Sequence, residues 1–179
     1  TRHGTKAAAC VEDGKSADRW IRKNARKLGV DPAKVAAGGG SAGGHLAVST
    51  ALFHEVNENT DPTDISARPD ALVLMYPVID TSADGYGQAK IGDRWRELSP
   101  VHNVRGSLPP ALILHGTGDA VTPYAGALKF HEQSKAAGND STLITFPGGR
   151  HGYIIFDPDE YKQALEQMTD FLKKQNMLH

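Results

Sequence analysis

Val35-Ala36-Ala37-Gly38-Gly39-Gly40-Ser41-Ala42-Gly43-Gly44-His45-Leu46-Ala47 decides how this chain is read. A short apolar strand runs into a serine walled by glycines and then straight into a helix start, the shape of a nucleophile elbow. Gly39 and Gly43 stand two residues either side of Ser41, where the turn is expected to leave no room for a β-carbon. Such a turn lifts a hydroxyl clear of a sheet so that a base can reach it, because an unassisted serine is a poor nucleophile. The same glycines also fit a phosphate cradle at a helix N-terminus. A P-loop needs Lys followed by Ser or Thr, and His45-Leu46 stands there instead. Gly38, Gly40 and Gly43 match G-x-G-x-x-G, and Asp64 lies at about the right distance, although within a polar loop from Thr60 to Ser66. On these residues alone both readings stand.

The order of the downstream segments favours the elbow. Ala111-Leu-Ile-Leu-His-Gly-Thr-Gly-Asp119 is an apolar strand ending in a loop that presents an acid. Thr122 as N-cap and Pro123 as first helical residue then open a helix that Gly138 closes. Thr142-Leu-Ile-Thr-Phe-Pro-Gly-Gly-Arg-His151 is a second strand, ending in a loop that presents a histidine. Both groups lie past the carboxyl ends of strands, the edge where open α/β sheets bind ligands. Ser41, Asp119 and His151 follow the chain order Ser, Asp, His. Asp80, Asp84 and Asp93 compete weakly for the acid role, since none follows a strand directly before a helix and the histidine loop.

Gly39-Gly40-Ser41-Ala42-Gly43-Gly44-His45, Ser99-Pro-Val-His-Asn-Val leading to Leu108-Pro-Pro, His115-Gly-Thr-Gly-Asp119 and Gly149-Arg-His151-Gly together resemble the α/β-hydrolase family. The narrower likeness is to its lipase/esterase branch, which includes acetyl, acetylxylan and feruloyl-esterase-like enzymes. The resemblance implies a serine hydrolase that cleaves carboxylic esters through an acyl-enzyme. Ser41 would be its nucleophile, His151 its base, Asp119 its acid and the Ala42 N–H an oxyanion-hole donor. It implies a small-acyl or carbohydrate-linked ester as substrate, with no cofactor and no metal. A prolyl-oligopeptidase-like peptidase shares the triad order, and a non-catalytic hydrolase fragment is the alternative outside enzymes. Relatives often carry Asp or His where Gly40 stands. They also carry a His-Gly-Gly-Gly-like oxyanion loop after an early strand, which this sequence lacks. The chain therefore reads as the C-terminal half of a hydrolase, and the strand before Ser41 is expected to be a sheet edge open to self-association.

Strand candidates are Lys34 to Ala37, Ala71 to Tyr76, Ala111 to His115 and Thr142 to Phe146, alternating with helix-sized segments. That pattern predicts a parallel sheet with flanking helices, a three-layer α/β/α domain spanning residues 1–179, with 81–110 as a short insertion near the site. A helix from Lys15 to Leu28 is expected to bury Ala17, Trp20, Ile21, Ala25 and Leu28 and to turn Arg22, Lys23, Arg26 and Lys27 to water. The last helix, begun at Asp157-Pro158, is expected to bury Tyr161, Ala164, Leu165, Met168, Phe171 and Leu172.

The 179 residues carry a formal net charge of −1, so no basic field invites nucleic acid. No apolar run is long enough to span a bilayer. Cys10 is the lone cysteine, which excludes an intrachain disulfide, and it is expected to be a buried structural thiol. No Cys/His cluster has zinc spacing. His45 and His115 are expected to serve packing, and His102 and His131 to be surface or structural. Tyr76 and Pro77 leave a strand at the edge of the proposed site and are candidate walls of a substrate pocket. In the insertion, Tyr86 and Trp95 could stack on a sugar or aromatic acyl group, although a short excursion of this kind also needs an apolar anchor, the reading favoured for Trp95.

Overall fold

The computed structural model describes residues 6–178. Four parallel strands run in sheet order equal to chain order: β1 (Ala36–Gly40), β2 (Ala71–Met75), β3 (Ala111–Gly116) and β4 (Ser141–Phe146). Helix α1 (Ala7–Lys23) and the single turn α2 (Ala25–Leu28) precede the sheet. Helix α3 (Ala42–Leu52) joins β1 to β2, and a segment with the turn α4 (Gln88–Ile91) and two 3₁₀ stretches joins β2 to β3. Helix α5 (Tyr124–Ala136) joins β3 to β4, and the turn α6 (Tyr153–Phe156) and α7 (Pro158–Lys174) come last. Parallel strands need such crossovers, and helices laid on the faces bury what the strands leave apolar.

The pleat sorts the central strands into two cores. Leu72, Leu74, Ala111 and Ile113 face Val48, Leu52 and Phe130 from α3 and α5. Ala71, Val73, Leu112 and Leu114 face Phe146, Ala164 and Phe171 on the α7 side. Successive side chains point to opposite faces of a strand, so β2 and β3, apolar at every core position, must be covered on both sides. This is the α/β/α layering that the alternation of strands and helices predicts.

Several boundaries and faces differ from expectation. Strand β1 begins two residues later than Lys34 and continues through Gly38, Gly39 and Gly40, because pairing with Val73, Leu74 and Met75 holds the glycines extended. Helix α1 begins far earlier than Lys15 and breaks at Asn24, and Gly29 closes α2 with φ +70°. Its buried stripe is Val11, Lys15, Asp18 and Arg19, while Trp20 is 56% and Leu28 44% exposed. The reason is polar. Lys15 Nζ donates to the carbonyls of Phe53 and Val56 at 2.7 and 2.8 Å, and Arg19 pairs with Asp61 at 2.7 Å. Arg22, expected in water, donates to the carbonyls of Pro32 and Arg68 and pairs with Asp70 at 2.9 Å. The loop between α3 and β2, together with Pro32 ahead of β1, offers these side chains acceptors, so α1 turns Lys15, Arg19 and Arg22 inward. Cys10 is half-buried, and on α7 Tyr161 and Leu165 are exposed while Ala164 and Phe171 are buried.

Candidate active site

Ser41 sits between β1 and α3 with φ 55° and ψ −121°, a backbone conformation costly for any residue with a β-carbon. Two bonds hold it there: Ser41 N–H donates to Met75 O at 3.0 Å, and Ser41 O accepts from Val78 N–H at 3.1 Å. A β-carbon on Gly39 would lie 2.6 Å from the Gly43 carbonyl carbon, so the turn can close only over glycine. Gly43 itself faces open space, contrary to expectation. The crowded partner is Gly44, where a β-carbon would meet Pro77 at 2.7 Å. Helix α3 therefore lays the backbone of Gly43 on Gly39 and the Cα of Gly44 on Pro77.

The loops after β3 and β4 are stitched together. Thr117 N–H donates to Phe146 O at 3.0 Å, Gly118 N–H to Gly149 O at 3.1 Å and Gly148 N–H to the Thr117 hydroxyl at 2.8 Å. This register carries Asp119 and His151 toward each other, and the site forms across three strand ends. His151 Nδ1 lies 2.8 Å from Asp119 Oδ2, and His151 Nε2 lies 2.9 Å from Ser41 Oγ. The Asp119 side chain is wholly buried and that of His151 is 23% exposed.

Protonation follows from these contacts. Burial opposes the charge on Asp119. The Thr122 and Val121 N–H groups, the His151 ring and the Thr122 hydroxyl together outweigh it and hold the carboxyl below the ordinary aspartate value. An ionised carboxylate only accepts, so His151 Nδ1 carries the proton and donates to it. In the neutral imidazole Nε2 is then bare and accepts from the Ser41 hydroxyl, the arrangement in which an imidazole can take a proton from serine.

Around this chain of bonds, Tyr76, at φ 35°, packs edge-on to His151 with ring centroids 5.0 Å apart and to Tyr153 at 5.8 Å. Burial raises both phenols above the ordinary tyrosine value, so they stay neutral; Glu160 adds to the effect on Tyr153. His115 is fully buried beneath Asp119, with Nε2 2.8 Å from Thr122 O and 3.6 Å from Asp119 Oδ2. Burial holds its imidazole below the ordinary histidine value against the pull of that carbonyl and of Asp119.

The remaining candidate residues fall into two groups. Tyr76 reaches the site, whereas Pro77 packs against Gly44. Trp95 stacks edge-on against His102 at 5.3 Å, and its carbonyl accepts from Thr81 Oγ1 at 2.8 Å, the anchoring arrangement; Tyr86 lies under the ammonium of Lys90. His102 bonds to Ser99 at 2.8 Å within the insertion, and His45 Nε2 lies 2.7 Å from Leu98 O and ties the insertion to α3. Thr122 does not cap α5; Pro123 takes that position, and the Thr122 hydroxyl turns to Asp119 at 2.8 Å instead. Sequence reasoning missed this residue as part of the site because a threonine before proline also fits a helix cap. Among the described residues no group of three His, Cys, Asp or Glu could hold a metal ion.

Comparison with known proteins gives the chain its family. The BD-FAE family model matches residues 2–133, most of the chain. The chain belongs to the BD-FAE family, within the α/β-hydrolase esterases. A second model, described as TAP-like protein, matches residues 93–177. Esterase 2 of Thermogutta terrifontis superposes with a TM-score of 0.92 at 39% identity, over 99% of this chain and 68% of that one. Structures of that esterase include propionate-bound, butyrate-bound and paraoxon-phosphorylated forms. Endo-1,4-beta-xylanase B of Butyrivibrio fibrisolvens is 33% identical over 84% of this chain, and acetylxylan esterase of Xylanibacter ruminicola 28% identical over 91%. The chain spans 25% and 35% of the length of these two relatives.

Proposed function

We propose that this BD-FAE domain hydrolyses carboxylic esters through an acyl-enzyme on Ser41. The observation that carries the reading is the unbroken sequence of bonds from Ser41 Oγ to His151 Nε2, and from His151 Nδ1 to Asp119 Oδ2. His151 takes the serine proton as Oγ attacks the ester carbonyl and returns it to the leaving alcohol. Asp119 holds the imidazole in the productive tautomer and stabilises the imidazolium, and water repeats the cycle to release the acid. The Ala42 N–H opens α3, where backbone donors lack intrahelical acceptors, and is the oxyanion donor of this mechanism. The acyl group is short and the alcohol small or carbohydrate-linked. The propionate and butyrate held by the Thermogutta esterase and the activity in the name of the Xylanibacter relative support that choice.

A fluorophosphonate probe should label this chain at Ser41, as read by peptide mass spectrometry. Ser41→Ala should abolish both labelling and the hydrolysis of p-nitrophenyl acetate and butyrate. Labelling at another residue, or undiminished hydrolysis by the alanine variant, would overturn the assignment. Cleavage of a prolyl peptide in preference to the esters would return the chain to the peptidase alternative.

A further inference from the structure

Thr122 is 3% exposed, yet every polar group it has is spent on the site. Its N–H donates to Asp119 Oδ1 at 2.8 Å, and its carbonyl faces His115 Nε2 at 2.8 Å. Its hydroxyl lies 2.8 Å from Asp119 Oδ2, 3.1 Å from His151 Nδ1 and 3.2 Å from Tyr76 O. A hydroxyl has one proton to give, and both Asp119 Oδ2 and Tyr76 O can only accept. The shorter contact and the negative charge place that proton on Asp119. Toward His151 Nδ1–H the oxygen can then only accept. Asp119 Oδ2 is the same oxygen that His151 uses, so threonine and histidine compete for its electron density.

We propose that Thr122 is a positioning residue that shares Asp119 Oδ2 with His151, fixing the rotation of the carboxylate and moderating its hold on the imidazole. This rests on the reading of His151 as the base. A carboxylate whose Oδ2 faced the imidazole alone would bind its proton more tightly, and a base already protonated cannot accept from serine. The other titratable groups around the ring do not substitute for the hydroxyl. His115 and the phenols of Tyr76 and Tyr153 are neutral, and Arg150, the exposed chain neighbour of His151, adds a positive charge that opposes protonation. The hydroxyl is the one donor side chain besides His151 within hydrogen-bond distance of Oδ2 among the described residues, His115 Nε2 standing 3.6 Å away.

The test is Thr122→Val, which keeps the shape and removes the hydroxyl, beside Thr122→Ser, which keeps the hydroxyl. In histidine-labelled protein, with the His151 resonance assigned by its loss in His151→Gln, the titration midpoint of His151 should move to higher pH by about half to one pH unit in the valine variant. That is the scale of one hydrogen bond. It should stay at the parent value in the serine variant. On p-nitrophenyl acetate the acid limb of kcat/KM should move by the same amount in the valine variant, with KM unchanged and the rate recovering to within about threefold of parent on the alkaline plateau. A structural defect would lower the rate at every pH. If the valine variant fails to give a folded spectrum, Thr122→Ala serves the same comparison. An unmoved or lowered midpoint, or equal movement in the serine variant, would overturn the assignment. A parent chain inactive on esters with the midpoint moved as stated would sink ester hydrolysis and leave the Thr122 assignment standing; an active chain with the midpoint unmoved would do the reverse.

Discussion

Two buried aspartates, one hundred and one positions apart in the sequence, meet opposite fates for reasons that their neighbours supply. Asp119 has donors on both oxygens and is held ionised. Asp18, on the buried face of α1, has an Oδ2 with no partner among the described residues, and burial outweighs the attraction of Arg22 and raises its carboxyl from 3.8 to about 6. The signs of their contributions to stability are opposite. A lowered folded value, as for Asp119, stabilises above pH 3.8, and that contribution is lost as pH falls through its folded value. A raised one, as for Asp18, favours folding below pH 3.8 and loses that contribution as pH rises through about 6. Asp18→Asn should therefore raise stability by about 1–3 kcal/mol above pH 7, with the difference from parent closing below about pH 4. Urea unfolding at pH 4 and pH 8 measures it, and a variant less stable than parent at pH 8 would show that Asp18 is retained as a useful charge. The loop after an apolar strand marks Asp119 in the sequence, whereas nothing marks Asp18: an aspartate on a helix reads as solvated until the loop that covers it is known.

At the scale of elements, the alternation of apolar runs with helix-sized segments was enough to read four parallel strands, because β2 and β3 are apolar at every core position and can only be interior strands. The ends were less legible. Lys34 to Ala37 reads as the first strand from apolarity, whereas backbone pairing with β2 carries the strand through three glycines that have no strand propensity of their own. The face of α1 was misread for a related reason. Trp20, Ile21 and Leu28 form a hydrophobic stripe on paper, but the packing of α1 follows the carbonyls that Lys15 and Arg22 reach. The elbow glycines separate by the same logic of contact. Gly39→Ala sets a β-carbon against the Gly43 backbone and should cost about 1–3 kcal/mol and suppress probe labelling at Ser41, since α3 must shift to admit it. Gly43→Ala, which meets nothing within 4 Å, should leave the melting temperature within a few degrees of parent. Equal destabilisation by both would mean that conformational freedom, not close approach, is what the motif requires.

At the scale of the whole molecule, the arrangement of apolar surface becomes a solution property. Strand β1 pairs only with β2 among the described residues and carries alanine and glycine, so its outer backbone groups are unshielded by bulky or charged side chains. On α6 and α7, Ile155, Phe156, Tyr161 and Leu165 are 70%, 80%, 51% and 46% exposed. Gly152, next to His151, lies against the first two; a β-carbon there would touch both side chains at 3.6 and 3.7 Å. Large apolar side chains left exposed favour association, and an open strand edge adds a route through backbone pairing. The chain should therefore self-associate, with the scattering-average mass rising with concentration in a dilution series and a hydrophobic dye bound strongly. Ile155→Lys with Phe156→Lys should lower dye binding, and the residual concentration dependence then reports the strand edge, because neither substitution touches β1. A monodisperse monomer across the series, with dye binding at the level of an ordinary globular protein, would show that neither surface drives association.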